Sequence, residues 1–170
     1  PSRPGCSTGE FVGSFGFVSK SALGLDSYSC DLLPSYDNSP FHLTRDCWDV
    51  IENRFSTLRG GWDLIIMHPP CTALAVSGNA WYGKGKTKNQ QRLDSIEWTM
   101  ALFEHAKKHA PRVAFENPLG VLPITPTQYI QPWQFGHPET KKTGLRLHNL
   151  HPLATTPKVK HSYATPPKNQ

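Results

Sequence analysis

The most informative stretch of apolar residues runs without interruption from Leu64 to Met67 and gives way to Pro69, Pro70 and Cys71. Continuous rather than alternating apolar character favours a strand buried on both faces, as in a parallel sheet. Because proline has no backbone N–H to donate to a sheet, the strand is expected to end at the two prolines. Cys71 is therefore predicted on a loop past the carboxyl end of a central strand, the edge where open α/β sheets bind ligands. At that place a cysteine is compatible with a nucleophile, a metal ligand or simple packing.

The spacing of apolar residues predicts further helices and strands around this one. The clearest helix covers 91–109, with an expected buried stripe of Leu93, Ile96, Met100, Phe103 and Ala106. Shorter helices are expected over 18–23 and 48–58, strands over 27–33, 62–67, 112–115, 128–135 and 143–150, and loops over 35–45 and 77–90. Strands that alternate with helices predict an α/β sandwich with a mostly parallel central sheet.

Three of the predicted loops follow strand ends and carry residues with chemical potential. They contain Gly13–Gly16, Pro70-Cys71 and Glu116-Asn117. Because the carboxyl ends of parallel strands share one edge of a sheet, these loops are expected to meet there. The sequence thus predicts a thiol and a carboxylate beside a glycine-rich turn.

Composition narrows the class of protein without identifying it. The 170 residues suit one domain, predicted to span 1–153, with a Pro- and Lys-rich tail, 154–170, expected to be poorly ordered. No apolar run reaches the ~20 residues needed to span a membrane, and the first nine residues lack the apolar segment of a signal peptide. The net charge of +5 favours a polyanionic partner such as nucleic acid.

The cysteines argue against a metal site. Cys6, Cys30, Cys47 and Cys71 are widely spaced and none forms a CxxC pair, so a structural zinc site is not expected. The histidines show no metal-ligand spacing either and are expected to be surface or core residues, although His68 lies three residues before Cys71. The thiols are expected to be reduced in a cytoplasmic compartment, with the first three cysteines structural.

Several short motifs follow one another in a recognisable order. FVGSFG at 11–16 is followed by Asp31, Asp46, PPC at 69–71, EN at 116–117 and FGHPETK at 135–141. This order resembles the DNA (cytosine-5) methyltransferases, most of all the small phage-encoded members that lack a large target-recognition domain. The resemblance covers about Glu10 to Leu153. In the last motif, usually FGxPQxRxR in the family, Glu139 stands for Gln, and Lys141 and Thr143 stand for the two Arg residues.

The resemblance implies a Rossmann-like, S-adenosylmethionine-dependent methyltransferase that acts on carbon 5 of cytosine in duplex or single-stranded DNA. Cys71 would add to carbon 6 of the ring as a thiolate, which makes carbon 5 nucleophilic enough to take the methyl group. Glu116 would hold the amino group and N3 of the base, and Asn117 would help to fix that loop. The target base has to leave the stack first, which costs less in a single strand than in a duplex.

The residues that the resemblance assigns to the cofactor, S-adenosyl-L-methionine, are Phe11, Gly13, Gly16, Asp31, Asp46 and Pro69. The glycines would allow the backbone to approach the methionine end of the cofactor, with the phenylalanine packed on it. The first aspartate would accept hydrogen bonds from the ribose hydroxyls, and the second would meet the adenine amino group.

The loop after the cysteine combines cations with aromatic side chains: Trp81, Tyr82, Lys84, Lys86, Lys88 and Arg92. Such a loop suits closure over a nucleic acid backbone and retention of an extruded base, the alternative being a solvated flexible loop. Lys141 is assigned to nucleic acid binding as well. The expected setting is the cytoplasm of a bacterial or phage-infected cell, in association with the nucleoid.

Other functions remain open. An amino-group methyltransferase acting on N4 or N6 would want an acidic or Asn residue before the prolines and an aromatic residue after them, whereas His68 and Cys71 flank them here. An RNA carbon-5 enzyme would usually carry its cysteine in the later loop, where Glu116 and Asn117 stand. The family has an apolar first strand before the glycine motif, whereas PSRPGCSTG stands there in this sequence. A catalytically decayed methyltransferase fold that binds nucleic acid would explain this difference. Few residues follow Glu116, so a short or loose target sequence is expected.

Overall fold

The structure is a computed structural model that describes residues 27–52, 62–137 and 139–156. The described elements are, in chain order, β1 (Ser29–Asp31), β2 (His42–Thr44), α1 (Cys47–Ile51), β3 (Ile65–Met67), α2 (Asn79–Tyr82), α3 (Asn89–His109), β4 (Val113–Pro118), β5 (Gln128–Ile130) and β6 (Thr143–His148). Two short 3₁₀ helices, Val76–Gly78 and Pro132–Phe135, precede α2 and β6. The described chain is mixed α/β, which confirms the predicted class.

The larger sheet contains four strands in the order β3-β4-β6-β5. β3 and β4 are parallel, with Met67 opposite Phe115, whereas β6 pairs antiparallel with both β4 and β5. β3, β4 and β5 therefore run in one direction and β6 runs against them, an arrangement found among large mixed α/β sheets. β3 ends opposite Phe115 and β4 continues to Pro118, so the segment that follows β3 lies beside the last residues of β4.

β1 and β2 form a second, parallel pair in which Cys30 lies opposite Leu43. The backbone N–H of Arg45 donates to the carbonyl of Asp31 at 3.0 Å and continues this pairing past the strand ends. β2 lies within residues 35–45, so the prediction of a loop there is wrong. Three residues are too few to show a period, and their strand conformation comes from pairing with β1.

A single apolar cluster joins the strands to α1 and α3. The indole N–H of Trp62 donates to the carbonyl of Val50 at 2.7 Å, and its ring lies edge-on to Tyr28, with 5.9 Å between centroids. On the other side of the cluster, the rings of Phe103 in α3 and Phe115 in β4 are 5.4 Å apart. Burial of these aromatic groups is the main force that holds the helices against the sheets.

The buried face of α3 agrees with the predicted stripe only in part, since Phe103 and Ala106 are buried as predicted. Leu93 is 51% exposed, whereas Arg92, Ser95 and Thr99 are buried. The polar side chains of this face satisfy hydrogen bonds inside the fold; the Ser95 hydroxyl, for example, donates to the carbonyl of Gln91 at 2.6 Å. A pattern built only on apolar residues cannot detect such a face, which explains the error.

β4 continues through the EN motif to Pro118, so the predicted terminal loop at Glu116-Asn117 is also wrong. β6 pairs with β4 along its whole length, including the residues that extend beyond the end of β3. Leu145 lies opposite Glu116, and Gly144 lies opposite Asn117. The proline suggested a loop, but a proline is tolerated at a strand end.

Several predictions fall wholly or partly outside the described residues. These are the glycine motif at 11–16, the helix over 18–23, the part of the 48–58 helix beyond α1, and the tail from 157 onward. In the described part of the chain, no helix is both long and apolar enough to cross a bilayer. The same residues contain no group of three or more His, Cys, Asp or Glu side chains that could hold a metal ion.

Candidate active site

The end of β3 and the adjacent part of β4 bring a histidine and a glutamate into contact. Met67 and Phe115 are register partners, so the residues that follow them, His68 and Glu116, are adjacent across the sheet. The Nδ1 atom of His68 lies 3.1 Å from Oε2 of Glu116. The side chains are 40% and 23% exposed, which leaves the pair partly reachable from solvent. This contact fixes the glutamate beside the loop that carries Cys71.

Residues 68–76, here named the Cys71 loop, present the thiol to solvent. Cys71 is exposed, and its carbonyl accepts hydrogen bonds from the N–H groups of Leu74 at 3.0 Å and Ala75 at 2.8 Å. Pro69 is buried, and the fixed φ of the two prolines restricts the chain just before the thiol. The sulfur therefore lies on a hydrogen-bonded turn outside the core.

The Cys71 loop also pairs with the segment after β4. Ala75 and Gly120 form an antiparallel bridge, and the N–H of Val76 donates to the carbonyl of Leu119 at 3.1 Å. A Cβ atom at Gly120 would lie 2.4 Å from the carbonyl oxygen of Leu74, so this close approach requires glycine. The loops after β3 and β4 consequently lie against each other.

Arg92 of α3 anchors the Cys71 loop. Its Nε donates to the carbonyl of Ala73 at 2.7 Å and its Nη2 to the carbonyl of Ala75 at 3.3 Å, while its Nη1 donates to Oδ1 of Asn79 at 2.7 Å. The side chain is only 6% exposed. The prediction of Arg92 as a nucleic-acid-contacting cation on an open loop is thus corrected: its guanidinium positions the loop that carries the thiol.

The lysines of the predicted nucleic-acid-binding loop do lie at the surface. Lys84, Lys86 and Lys88 are exposed between α2 and α3, next to Trp81, which is 66% exposed. The Nζ atom of Lys88 lies 5.7 Å from the centroid of the Tyr82 ring, within reach of a cation–π interaction. These five residues, here named the basic-aromatic surface, adjoin the Cys71 loop through the shared contacts of Arg92.

The described thiols differ in their surroundings. Burial raises the pKa of Cys30 to about 12, and the carboxylates of Asp31 and Asp46 add to this effect. Burial also raises the pKa of Cys47. Cys71 is exposed, so among the cysteines of the described residues it is the one placed to meet a substrate.

Asp31 and Asp46 lie at the carboxyl ends of β1 and β2. Oδ1 of Asp31 accepts the N–H of Leu33 at 3.0 Å, and Oδ1 of Asp46 accepts the N–H of Trp48 at 2.8 Å and caps α1. Both carboxylates act on the thiol of Cys30, so the structure brings them to the same region. The other residues assigned to the cofactor, Phe11, Gly13 and Gly16, lie outside the described residues, apart from the buried Pro69.

Asn117 and Lys141 complete the predicted set. Asn117 is fully buried, and neither atom of its amide has a hydrogen-bond partner among the described residues. The predicted role of Asn117 in fixing a loop therefore has no hydrogen bond to support it here. Lys141 is exposed shortly before β6, where its carbonyl accepts the hydroxyl of Thr143 at 3.2 Å.

The sequence predicts His68 only as a surface or core residue that lies three positions before Cys71. The contact of His68 could have been predicted only from the parallel pairing of two short apolar runs. If Met67 lies opposite Phe115, His68 must lie next to Glu116. Arg146, which is buried in β6, gave no signal because its surroundings come from segments distant in sequence.

Comparison of the chain with protein-family models, curated proteins and solved structures found no match. The functional interpretation therefore depends on the residues and their geometry.

Proposed function

We propose that the protein is an S-adenosylmethionine-dependent DNA methyltransferase with a Rossmann-like fold that methylates carbon 5 of cytosine. The observation that carries the proposal is an exposed thiol, Cys71, on the loop that also contributes His68 to the carboxylate of Glu116. His68 and Cys71 follow β3, and Glu116 lies in the last half of the neighbouring parallel strand β4, near the edge where open α/β sheets bind ligands. An accessible thiol and a carboxyl group that can bind the opposite edge of the ring are two of the groups that the reaction requires.

Cys71 supplies the nucleophile. Its sulfur, as a thiolate, forms a bond to carbon 6 of cytosine, and the electrons of the ring's 5,6 double bond become available at carbon 5. S-adenosylmethionine, when bound, supplies an electrophilic methyl group. After carbon 5 is methylated it gives up its proton to a base, and the electrons of that C–H bond restore the double bond as sulfur departs. The thiol has to be reachable for this sequence, and Cys71 is exposed.

Glu116 acts on the opposite edge of the ring. Hydrogen bonds from a carboxyl group to N3 and from the amino group to a carboxylate oxygen draw electrons away from carbon 6 and favour addition of sulfur. Nδ1 of His68 lies 3.1 Å from Oε2 of Glu116 and restrains the carboxylate.

The aspartates near β1 and β2 fit the polar groups of the cofactor. Carboxylates past the ends of parallel strands accept hydrogen bonds from ribose hydroxyls in nucleotide-binding folds. Asp31 ends β1 and Asp46 follows β2, the strand paired with it, so both carboxylates belong to the same end of this strand pair. In this proposal Phe11, Gly13, Gly16 and Pro69 bind the remainder of the cofactor.

The basic-aromatic surface would hold the nucleic acid. Its three exposed lysines can neutralise backbone phosphates, and the exposed indole of Trp81 can stack on a base. The same surface supports a second candidate function, nucleic acid binding without catalysis, because it does not depend on the thiol.

Mass-spectrometric analysis of nucleosides from DNA of cells that express the chain tests the proposal. The expected result is 5-methylcytosine in the presence of the wild-type chain and none with Cys71→Ala. Thr72→Ala, a change at the neighbouring exposed position of the same loop, is the matched control and is expected to retain the product. N4-methylcytosine or N6-methyladenine would contradict carbon-5 chemistry, and DNA binding with no modified base would select the second candidate.

A further inference from the structure

A cavity of about 290 Å³ lies between the segment after β4 and the two strands β5 and β6. Its walls come from the chain between Pro118 and Pro126, together with Tyr129 and Arg146. The volume is close to the lower end of the range, roughly 300–1,000 Å³, that is usual for small-molecule sites. This space, here named the Arg146 cavity, is separate from the contact between His68 and Glu116.

Arg146 is a buried cation whose charge is not compensated by the residues described. It is 6% exposed, its Nε donates to the carbonyl of Ile124 at 3.1 Å, and its guanidinium lies 5.1 Å from the centroid of the Phe115 ring. Its Nη1 is buried without a hydrogen-bond partner, and none of the ion pairs in the described part of the chain includes Arg146. A buried charge without a partner is strongly unfavourable, so an anion bound next to Arg146 would stabilise the native state.

The pKa of Arg146 shows the same cost, because burial lowers it. The hydroxyl of Tyr129, which also lines the cavity, is close enough to act on that pKa. At the surface, the Nζ atom of Lys142 lies 4.6 Å from the centroid of the Tyr129 ring. The cavity therefore has one cation inside and a second beside its tyrosine, and none of the residues that line it is acidic.

Guanidinium groups bind phosphate particularly well because their N–H donors match two of its oxygens at once. A tyrosine and a lysine next to such a group suit a nucleotide better than a small carboxylic acid, since the ring can contact a sugar or base and the ammonium can contact a second oxygen. The net charge of +5 favours the same class of ligand.

We propose that the Arg146 cavity binds a phosphate group, either a backbone phosphate of the nucleic acid or the phosphate of a free nucleotide. If the ligand is a backbone phosphate, the inference rests on the proposed function. Arg146 then makes a second contact with the strand, at a distance from the base that reacts. For the free nucleotide, it is an independent site.

Thermal unfolding in the presence of inorganic phosphate is the first test. Binding to the native state raises the melting temperature, and above the dissociation constant the rise grows with the logarithm of ligand concentration. Wild-type protein is therefore expected to show a rise beyond that in sodium chloride of equal ionic strength. Arg146→Met keeps the length of the side chain and removes the charge, a change that buried sites commonly tolerate. Arg146→Lys keeps the charge and removes the planar set of donors. Phosphate affinity is expected to fall about tenfold or more in both variants.

Competition then separates the sources of the phosphate. A single-stranded oligonucleotide that displaces inorganic phosphate indicates the backbone, whereas displacement by a mononucleotide alone indicates the free nucleotide. Lys108→Gln, at an exposed lysine near the end of α3, is the control for a general effect of charge. Cys71→Ala is expected to keep the phosphate-dependent rise, so failure of the methyl transfer and failure of this site are distinguishable. Absence of the rise in wild-type protein, or its retention at equal affinity in both Arg146 variants, would overturn the proposal.

Discussion

The imidazole of His68 lies 3.1 Å from the carboxylate of Glu116, and this contact joins the loop after β3 to the end of β4. The register of β3 and β4, together with this one side-chain contact, therefore sets the distance between Glu116 and the Cys71 loop. Sites supported by strands hold their geometry more closely than sites on loops alone. Cys71 follows His68 by three residues, and its carbonyl accepts the N–H groups of Leu74 and Ala75.

His68 is expected to act as a positioning residue for Glu116. His68→Ala removes the restraint, and kcat/KM for methyl transfer to an oligonucleotide should fall about 10- to 100-fold, the usual effect of small misplacement of a reacting group. His68→Asn keeps a nitrogen donor near the position of Nδ1 and should recover most of the activity. Equal activity of all three proteins would show that the contact has no role in the reaction.

Cys71 is expected to react first with an alkylating reagent. At pH 8 a thiol whose pKa is raised to about 12, as for Cys30, is ionised in only about one molecule in 10⁴, and the thiolate is the reactive form. Peptide mass spectrometry after a short exposure to iodoacetamide should find the label on Cys71 and little on Cys30 or Cys47. Faster labelling of Cys30 or Cys47 than of Cys71 in native protein would contradict this order of accessibility.

Arg92 is expected to matter more for stability than for direct contact with nucleic acid. Arg92→Ala leaves two loop carbonyls and Oδ1 of Asn79 without their donor, so the free energy of unfolding should fall by about 3 kcal/mol in urea titrations. Lys88→Ala, at an exposed position four residues earlier, should change it by less than about 0.5 kcal/mol. If Arg92→Ala left stability unchanged but weakened DNA binding, the original assignment to the nucleic acid interface would be restored.

The exposed lysines are expected to contact phosphates. Lys86→Gln should weaken binding to a single-stranded oligonucleotide and reduce the slope of log K against log salt concentration by about 0.7. Lys108→Gln makes the same change of charge near the other end of α3 and should leave the slope unaltered. A slope that changes equally in both variants would indicate a general effect of net charge rather than a contact surface.

The sequence allowed the type of most described elements to be predicted, and the reasons for the failures are specific. The apolar run before Pro69 correctly indicated β3, because continuous burial and a terminal proline are both local properties. β2 and the extension of β4 to Pro118 depend on pairing with distant strands, which no local pattern reveals. The buried face of α3 was predicted only in part, because Arg92 satisfies its donors inside the fold and is buried beside the predicted apolar positions.

In the candidate site, too, local motifs could be found in the sequence, whereas contacts between distant segments could not. Cys71 and Glu116 could be selected from short motifs, and the structure places their strands side by side. The contribution of His68 needed the strand register, and the buried charge of Arg146 needed the packing of the chain between Pro118 and Pro126 around β6. Properties that arise from contacts between remote segments were therefore the ones that the sequence did not disclose.

The central claim, that Cys71 forms a bond to carbon 6 of cytosine, is tested most directly by trapping that bond. An oligonucleotide that contains 5-fluorocytosine, incubated with the protein and S-adenosylmethionine, should form a lasting adduct, because a fluorine on carbon 5 cannot leave as a proton does and sulfur cannot be expelled. Mass spectrometry of the digested complex should locate the adduct on Cys71, and Cys71→Ala should form none. An adduct on another residue, or its absence while the same protein methylates ordinary cytosine, would contradict the account.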